Sequence, residues 1–88
     1  MKLSRPAKGE HFTEGSRLLW LYMAEHGISQ TELARRIGTE SGHVSHWLYG
    51  HRRPGVKWMF RVEDAIGVPA RSWAESAPKG FRIPGKAA

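Results

Sequence analysis

The chain has no cysteine among its 88 residues, which excludes disulfides and any cysteine-based zinc site. No stretch approaches the ~18 consecutive apolar residues that a membrane helix requires. The N-terminus lacks the apolar run of a secretory signal, so a cytoplasmic protein with no membrane contact is expected. No glycine-rich loop of the phosphate-cradling kind is present. A chain of this length makes one small domain with a modest core, so its stability has to come from helix packing. With no second domain to sense a ligand, regulation is expected through concentration, dimerisation or a partner. A further absence is local. Between Glu40 and Glu63 there is no acidic residue, while Arg52, Arg53, Lys57 and Arg61 all fall there. An acid-free, base-rich run suits contact with phosphates.

The net charge of +6 is unevenly spread. Residues 10–76 hold eight acids and eight bases, so the part expected to fold is neutral. The excess sits on Lys2, Arg5 and Lys8 at one end and Lys79, Arg82 and Lys86 at the other. Both segments contain proline and glycine. The expected organisation is a basic N-terminal arm over residues 1–10, a folded domain over 11–76 and a flexible basic tail over 77–88. Such arms either keep the chain soluble or lie along a nucleic-acid backbone.

Within residues 28–54 the local signals are dense. Ser29 is a natural N-cap and Glu32 completes a capping box, so a helix should begin at Gln30. Leu33, Ala34 and Ile37 share one face of it, and the small Ala34 lets a following helix cross closely. Gly38 sits where the chain must reverse. Thr39 is the expected cap of a second helix from Glu40 to Tyr49. On that helix Val44, Trp47 and Leu48 cluster on one side, and Gly42, Ser45, His46 and Tyr49 lie on the other, flanked by Ser41 and His43. Two short helices joined by a glycine turn and followed by a basic, proline-stopped loop have the layout of a helix-turn-helix.

The pattern resembles the lambda-repressor and Cro-like helix-turn-helix family of transcription regulators. The matching residues are Ser29-Gln30 with Glu32-Leu33-Ala34, Ile37-Gly38, and Val44-Ser45-x-Trp47-Leu48-x-Gly50-x-Arg52-x-Pro54. They continue through Met59, Val62, Ala65, Ile66-Gly67-Val68 and Trp73, so the likeness covers roughly residues 16–75. Leu48 and Tyr49 depart from the family, which usually has a polar or acidic residue and often asparagine there. The resemblance implies an all-α, compact five-helix domain that binds double-stranded DNA as a homodimer, and it points to Gln30 as a phosphate contact.

The remaining helices follow from periodicity and caps. A first helix is expected from Thr13 to His26, with Leu19, Tyr22 and Met23 facing the core. Leu18, Trp20 and Leu21 make it apolar nearly all round, which suggests either deeper burial or a partner surface. A fourth helix should run from Val56 to Ile66 with Val56, Met59, Phe60, Val62 and Ile66 inward, ended by Gly67. Pro69 suits the first turn of a short fifth helix ending near Ser76, with Trp73 pointing in. Phe81-Arg82-Ile83 is the one candidate for order in the tail.

Candidate base-contacting residues are Ser41, Gly42, Ser45 and His46, on the outward side of the recognition helix. Candidate phosphate contacts are Gln30, His43, Tyr49, His51, Arg52, Arg53 and Lys57. His46 can donate to a purine acceptor, and the serines can donate or accept. The face carries no Arg, Asn or Gln, so the strongest bidentate readers are absent. His43, His46 and His51 are too poorly supported by carboxylates for a metal site, and no metal or cofactor is expected. Ser45 and His46 are sequence neighbours that point apart on a helix, which makes no catalytic triad, and an enzyme is not expected. Two functions stand: a small phage- or mobile-element-type repressor that inserts helix 40–49 into the major groove, or an antitoxin-like interaction module. The second would work through Leu18, Trp20 and Leu21 or through the tail.

Overall fold

Thr13 opens the first helix by accepting the Ser16 backbone N–H on its hydroxyl, which pairs one of the donors a helix start leaves open. The computed structural model describes residues 12–81, in which four α-helices and one 3-10 turn follow in order. They are α1 (Glu14–His26), α2 (Gln30–Ile37), α3 (Ser41–Leu48), α4 (Val56–Ile66) and the 3-10 segment Ala70–Ala74. The expected fifth helix is therefore a 3-10 turn. Pro69 precedes it in extended backbone, and five residues leave no room for α-helical hydrogen bonding to propagate.

Leu19, Leu33, Ala34, Ile37, Val44, Trp47, Leu48, Val62, Val68 and Trp73 form one buried cluster. α2 packs on α3 and α4, α1 on α3 and the 3-10 turn, and the turn also closes against α4. Of the stripe expected on α1, Leu19 is fully buried while Tyr22 and Met23 are half-buried beside the core. Leu18, Trp20 and Leu21 are half-buried as well.

Trp73 is the largest fully buried side chain, and it sits directly on Gly15. A β-carbon at Gly15 would lie 2.3 Å from the indole ring, so only glycine permits this approach of α1 to the 3-10 turn. One residue on, the buried Ser16 hydroxyl donates to the Trp47 carbonyl at 2.6 Å, tying α1 to the end of α3.

The inner face of α4 differs from the expected one. Val62 is buried and Trp58, Met59 and Ile66 are partly buried, whereas Val56 and Phe60 are exposed. Val56, Phe60 and Asp64 stand one turn apart on one side, and Trp58 and Val62 stand on the opposite side. Packing against α2 and the 3-10 turn selects the second.

Order also extends past the expected boundary at Ser76. Thr13 and Ser76 form an antiparallel bridge, with Glu14 N–H donating to the Glu75 carbonyl and Ala77 N–H to the Phe12 carbonyl. Phe81 meets Phe12 edge to face, with ring centroids 5.4 Å apart. The rest of the two basic segments, residues 1–11 and 82–88, lies outside the described residues.

Candidate nucleic-acid interface

The α2–turn–α3 unit is built from its caps. Ser29 accepts the Glu32 N–H on its hydroxyl at 3.1 Å, as a capping box requires. The reciprocal half is absent, because the Glu32 carboxylate pairs with Arg35 and Arg36. Gln30 is the first helical residue, in the turn whose N–H groups α2 leaves unpaired. At the other end Gly38 adopts φ 94° and returns its N–H to the Ala34 carbonyl. Arg61 closes this turn from α4. Its Nε donates to the Ile37 carbonyl at 3.3 Å, and its guanidinium lies 5.3 Å from the centre of the Trp58 ring.

Glu40, in extended backbone and without a side-chain cap bond, precedes α3 in place of the expected Thr39. Its carbonyl accepts the N–H groups of His43 and Val44. The Thr39 hydroxyl instead meets His43 Nδ1 at 2.7 Å. The His43 ring stacks on Trp47 at 6.1 Å and lies 6.4 Å from Trp58, so it is held on three sides.

Val44, Trp47 and Leu48 are buried beneath α3, as their spacing implied. Ser41, Gly42, His43 and His46 are exposed and Ser45 is half-buried. Gly42 and His46 occupy the middle of the outward face, with Ser45 and His43 on its two margins. Tyr49 ends the helix half-buried.

The following loop folds back on α3. The His46 carbonyl accepts both the His51 N–H at 3.0 Å and the Arg52 N–H at 3.2 Å. The rings of His46 and His51 stand edge to face, 6.0 Å apart. Pro54 is buried and pins the loop, while His51, Arg52, Arg53 and Lys57 are exposed.

The cations divide into two groups. Arg17 pairs with Glu14, Arg35 and Arg36 with Glu32, and Arg71 with Glu75. Arg36 also donates to the Tyr22 hydroxyl, and that bond together with Glu32 raises its pKa further above the ordinary arginine value. Arg61 is committed to the turn. Among the described residues this leaves Arg52, Arg53, Lys57 and Lys79 without an acidic partner, and the first three lie in the loop after α3 and the first turn of α4. Uncompensated charge beside a polar helix face is the footprint of a polyanion site.

The model of the helix-turn-helix family matches residues 21–73, which contain α2, the glycine turn, α3 and α4. The chain belongs to the helix-turn-helix family, in its lambda-repressor and Cro-like form. It is a DNA-binding regulator rather than an enzyme. A crystal structure of a hypothetical transcription factor, NHTF, from Neisseria superposes with a TM-score of 0.60. That likeness covers 83% of this chain and 84% of that one at 22% identity, and it is a likeness of fold. Comparison with curated proteins gave no match.

In this helix-turn-helix the four candidate base-reading residues share α3, and the loop brings His51, Arg52 and Arg53 beside them. Gln30 belongs to a different helix and Lys57 to the first turn of α4. The sequence did not single out Thr39 as the partner of His43, or Arg61 as the clasp of the turn. A threonine four residues before a histidine was a usable signal for the first. The second depends on α4 crossing α2 and has no local signature.

Proposed function

We propose that this protein is a sequence-specific double-stranded DNA-binding repressor, of the small phage or mobile-element type, acting as a homodimer. α3 enters the major groove, and the two copies read half-sites about 34 Å apart. Gly42 and His46, with Ser41 and Ser45 beside them, face the base edges. Gly42 leaves space for the backbone to approach, and His46 donates to a purine N7 or a guanine O6. Gln30 at the start of α2, His43, Tyr49, His51, Arg52 and Arg53 hold the phosphates, and Lys57 adds positive charge beside them. The observation that carries this reading is the run of unpaired cations next to the outward face of α3.

The experiment is selection from a random double-stranded DNA library at two salt concentrations. Wild type is compared with a variant combining Ser41→Ala, Ser45→Ala and His46→Ala. A palindromic site that the variant no longer prefers, while its non-specific binding persists, supports base reading by α3. No enriched site, with both proteins binding alike, overturns it and favours the antitoxin-like interaction module.

A further inference from the structure

The large hydrophobic side chains exposed on the described surface are Val56 and Phe60, 67% and 56% accessible, and both belong to α4. They lie one turn apart on its outer side, opposite the buried Val62. Phe60 is at the centre of that face. Lys57 flanks it towards the N-terminal end, and Glu63 and Asp64 flank it towards the C-terminal end; all three are exposed. None of the three has an ion-pair partner among the described residues. The face is thus apolar in the middle, positive at one end and negative at the other.

Such a face is complementary to itself when turned end for end. A twofold axis at Phe60 sets two α4 helices antiparallel and stacks the two phenyl rings. It leaves Val56 against the stem of Glu63 from the second copy. Lys57 and Asp64 lie on the same side of Phe60 and at similar distances along the helix from it. The axis therefore brings Lys57 of each copy to Asp64 of the other, twice. A parallel arrangement would set like charges together at both ends.

We propose that the outer face of α4 is the homodimer contact, with a second copy of this chain as its occupant. This rests on the homodimer reading above and supplies its surface, in place of Leu18, Trp20 and Leu21, which are half-buried. Five side chains on an 11-residue helix cover far less than the roughly 1,200 Å² of a stable interface. The free protein is therefore a weak dimer, and DNA carrying two half-sites strengthens the association by holding both copies.

Sedimentation equilibrium of the full chain, over concentrations reaching the millimolar range, tests the surface without DNA. Wild type should dimerise, and Phe60→Asp should weaken association by roughly tenfold or more. Asp64→Lys should weaken it too, and adding Lys57→Asp to Asp64→Lys should restore it, since the exchanged charges again meet across the axis. Thermal melts of each variant establish that the monomer is folded. Wild type that stays monomeric, a Phe60→Asp variant that dimerises normally, or a charge exchange that does not rescue overturns the proposal. Failure of the DNA-binding reading appears separately, as absence of DNA binding by wild type whatever its association state.

Discussion

The Ser16 hydroxyl, 31 residues away in sequence, satisfies the Trp47 carbonyl at the end of α3. That carbonyl is one of the last four that α3 cannot pair internally, and Ser16 is 1% exposed. Ser16→Ala leaves a buried acceptor unpaired and should cost about 1–3 kcal/mol. In a domain of this size each kcal/mol lowers Tm by roughly 4–8 °C, which a thermal melt resolves. Amide exchange from Tyr49 to Arg52 should quicken in the same variant. An unchanged Tm would remove this bond from the account.

Two glycine substitutions should have opposite effects on stability. Gly15→Ala drives a methyl group into Trp73 and should destabilise by about 1–3 kcal/mol or more. Gly42→Ala meets nothing within 4 Å and lies in a helix, so it should be neutral or stabilising by up to about 1 kcal/mol. Denaturant titration of the pair checks both signs. If Gly42 serves DNA by leaving space, the more stable Gly42→Ala protein should still lose site preference in the library selection.

Acid should expose the Glu14–Arg17 pair. The Arg17 guanidinium hydrogen-bonded to Glu14 holds the carboxyl below its ordinary value of 4.5. The unfolded chain therefore binds that proton more readily than the folded one. The stabilisation is complete above about pH 4.5 and disappears as pH falls through the lower folded value. Glu14→Gln should flatten this portion of the stability profile, measured by urea unfolding from pH 6 to about 3. A profile that keeps the wild-type slope would show that the pair contributes nothing.

Salt titration of DNA binding separates the two groups of cations. Arg52→Ala and Arg53→Ala should each reduce the slope of log K against log salt by about 1, with little change in site preference. Arg36→Ala, whose charge is already engaged by Glu32 and Tyr22, should leave the slope nearly unchanged. Equal effects from all three would mean that charge acts here only in bulk.

The parts readable from sequence are those fixed by neighbours along the chain. Ser29, Gly38 and Gly67 mark helix ends by their own chemistry, and α2 and α4 begin and end at the expected residues. The cap of α3 falls one residue later than expected: threonine is the better capping type, yet α3 begins behind Glu40, which makes no side-chain cap bond. The Thr39 hydroxyl is engaged by the His43 ring instead of by a backbone N–H of the first turn. Val56 and Phe60 were misplaced for a different reason. Apolar residues one turn apart define a stripe, but α4 carries two such stripes, and only tertiary packing chooses between them. The outward residues of α3 were legible because Val44, Trp47 and Leu48 leave one way to bury the helix. The cations without acidic partners were legible in part: the acid-free run marked Arg52, Arg53 and Lys57, but it also held Arg61, whose bond to the Ile37 carbonyl depends on α4 crossing α2.

The clasp between Phe12–Glu14 and Glu75–Ala77 has a mechanical consequence. Two hydrogen bonds and one pair of phenyl rings hold the ends of the domain together, so the fold is nearly a closed ring. Tension applied through the flanking segments falls first on this clasp, which opens one bond at a time like a zip. The helices behind it are loaded only after it has parted, so the domain yields at low force and from its edge inward. A fusion that pulls on both ends would therefore release Trp73 from Gly15 before it disturbs α3.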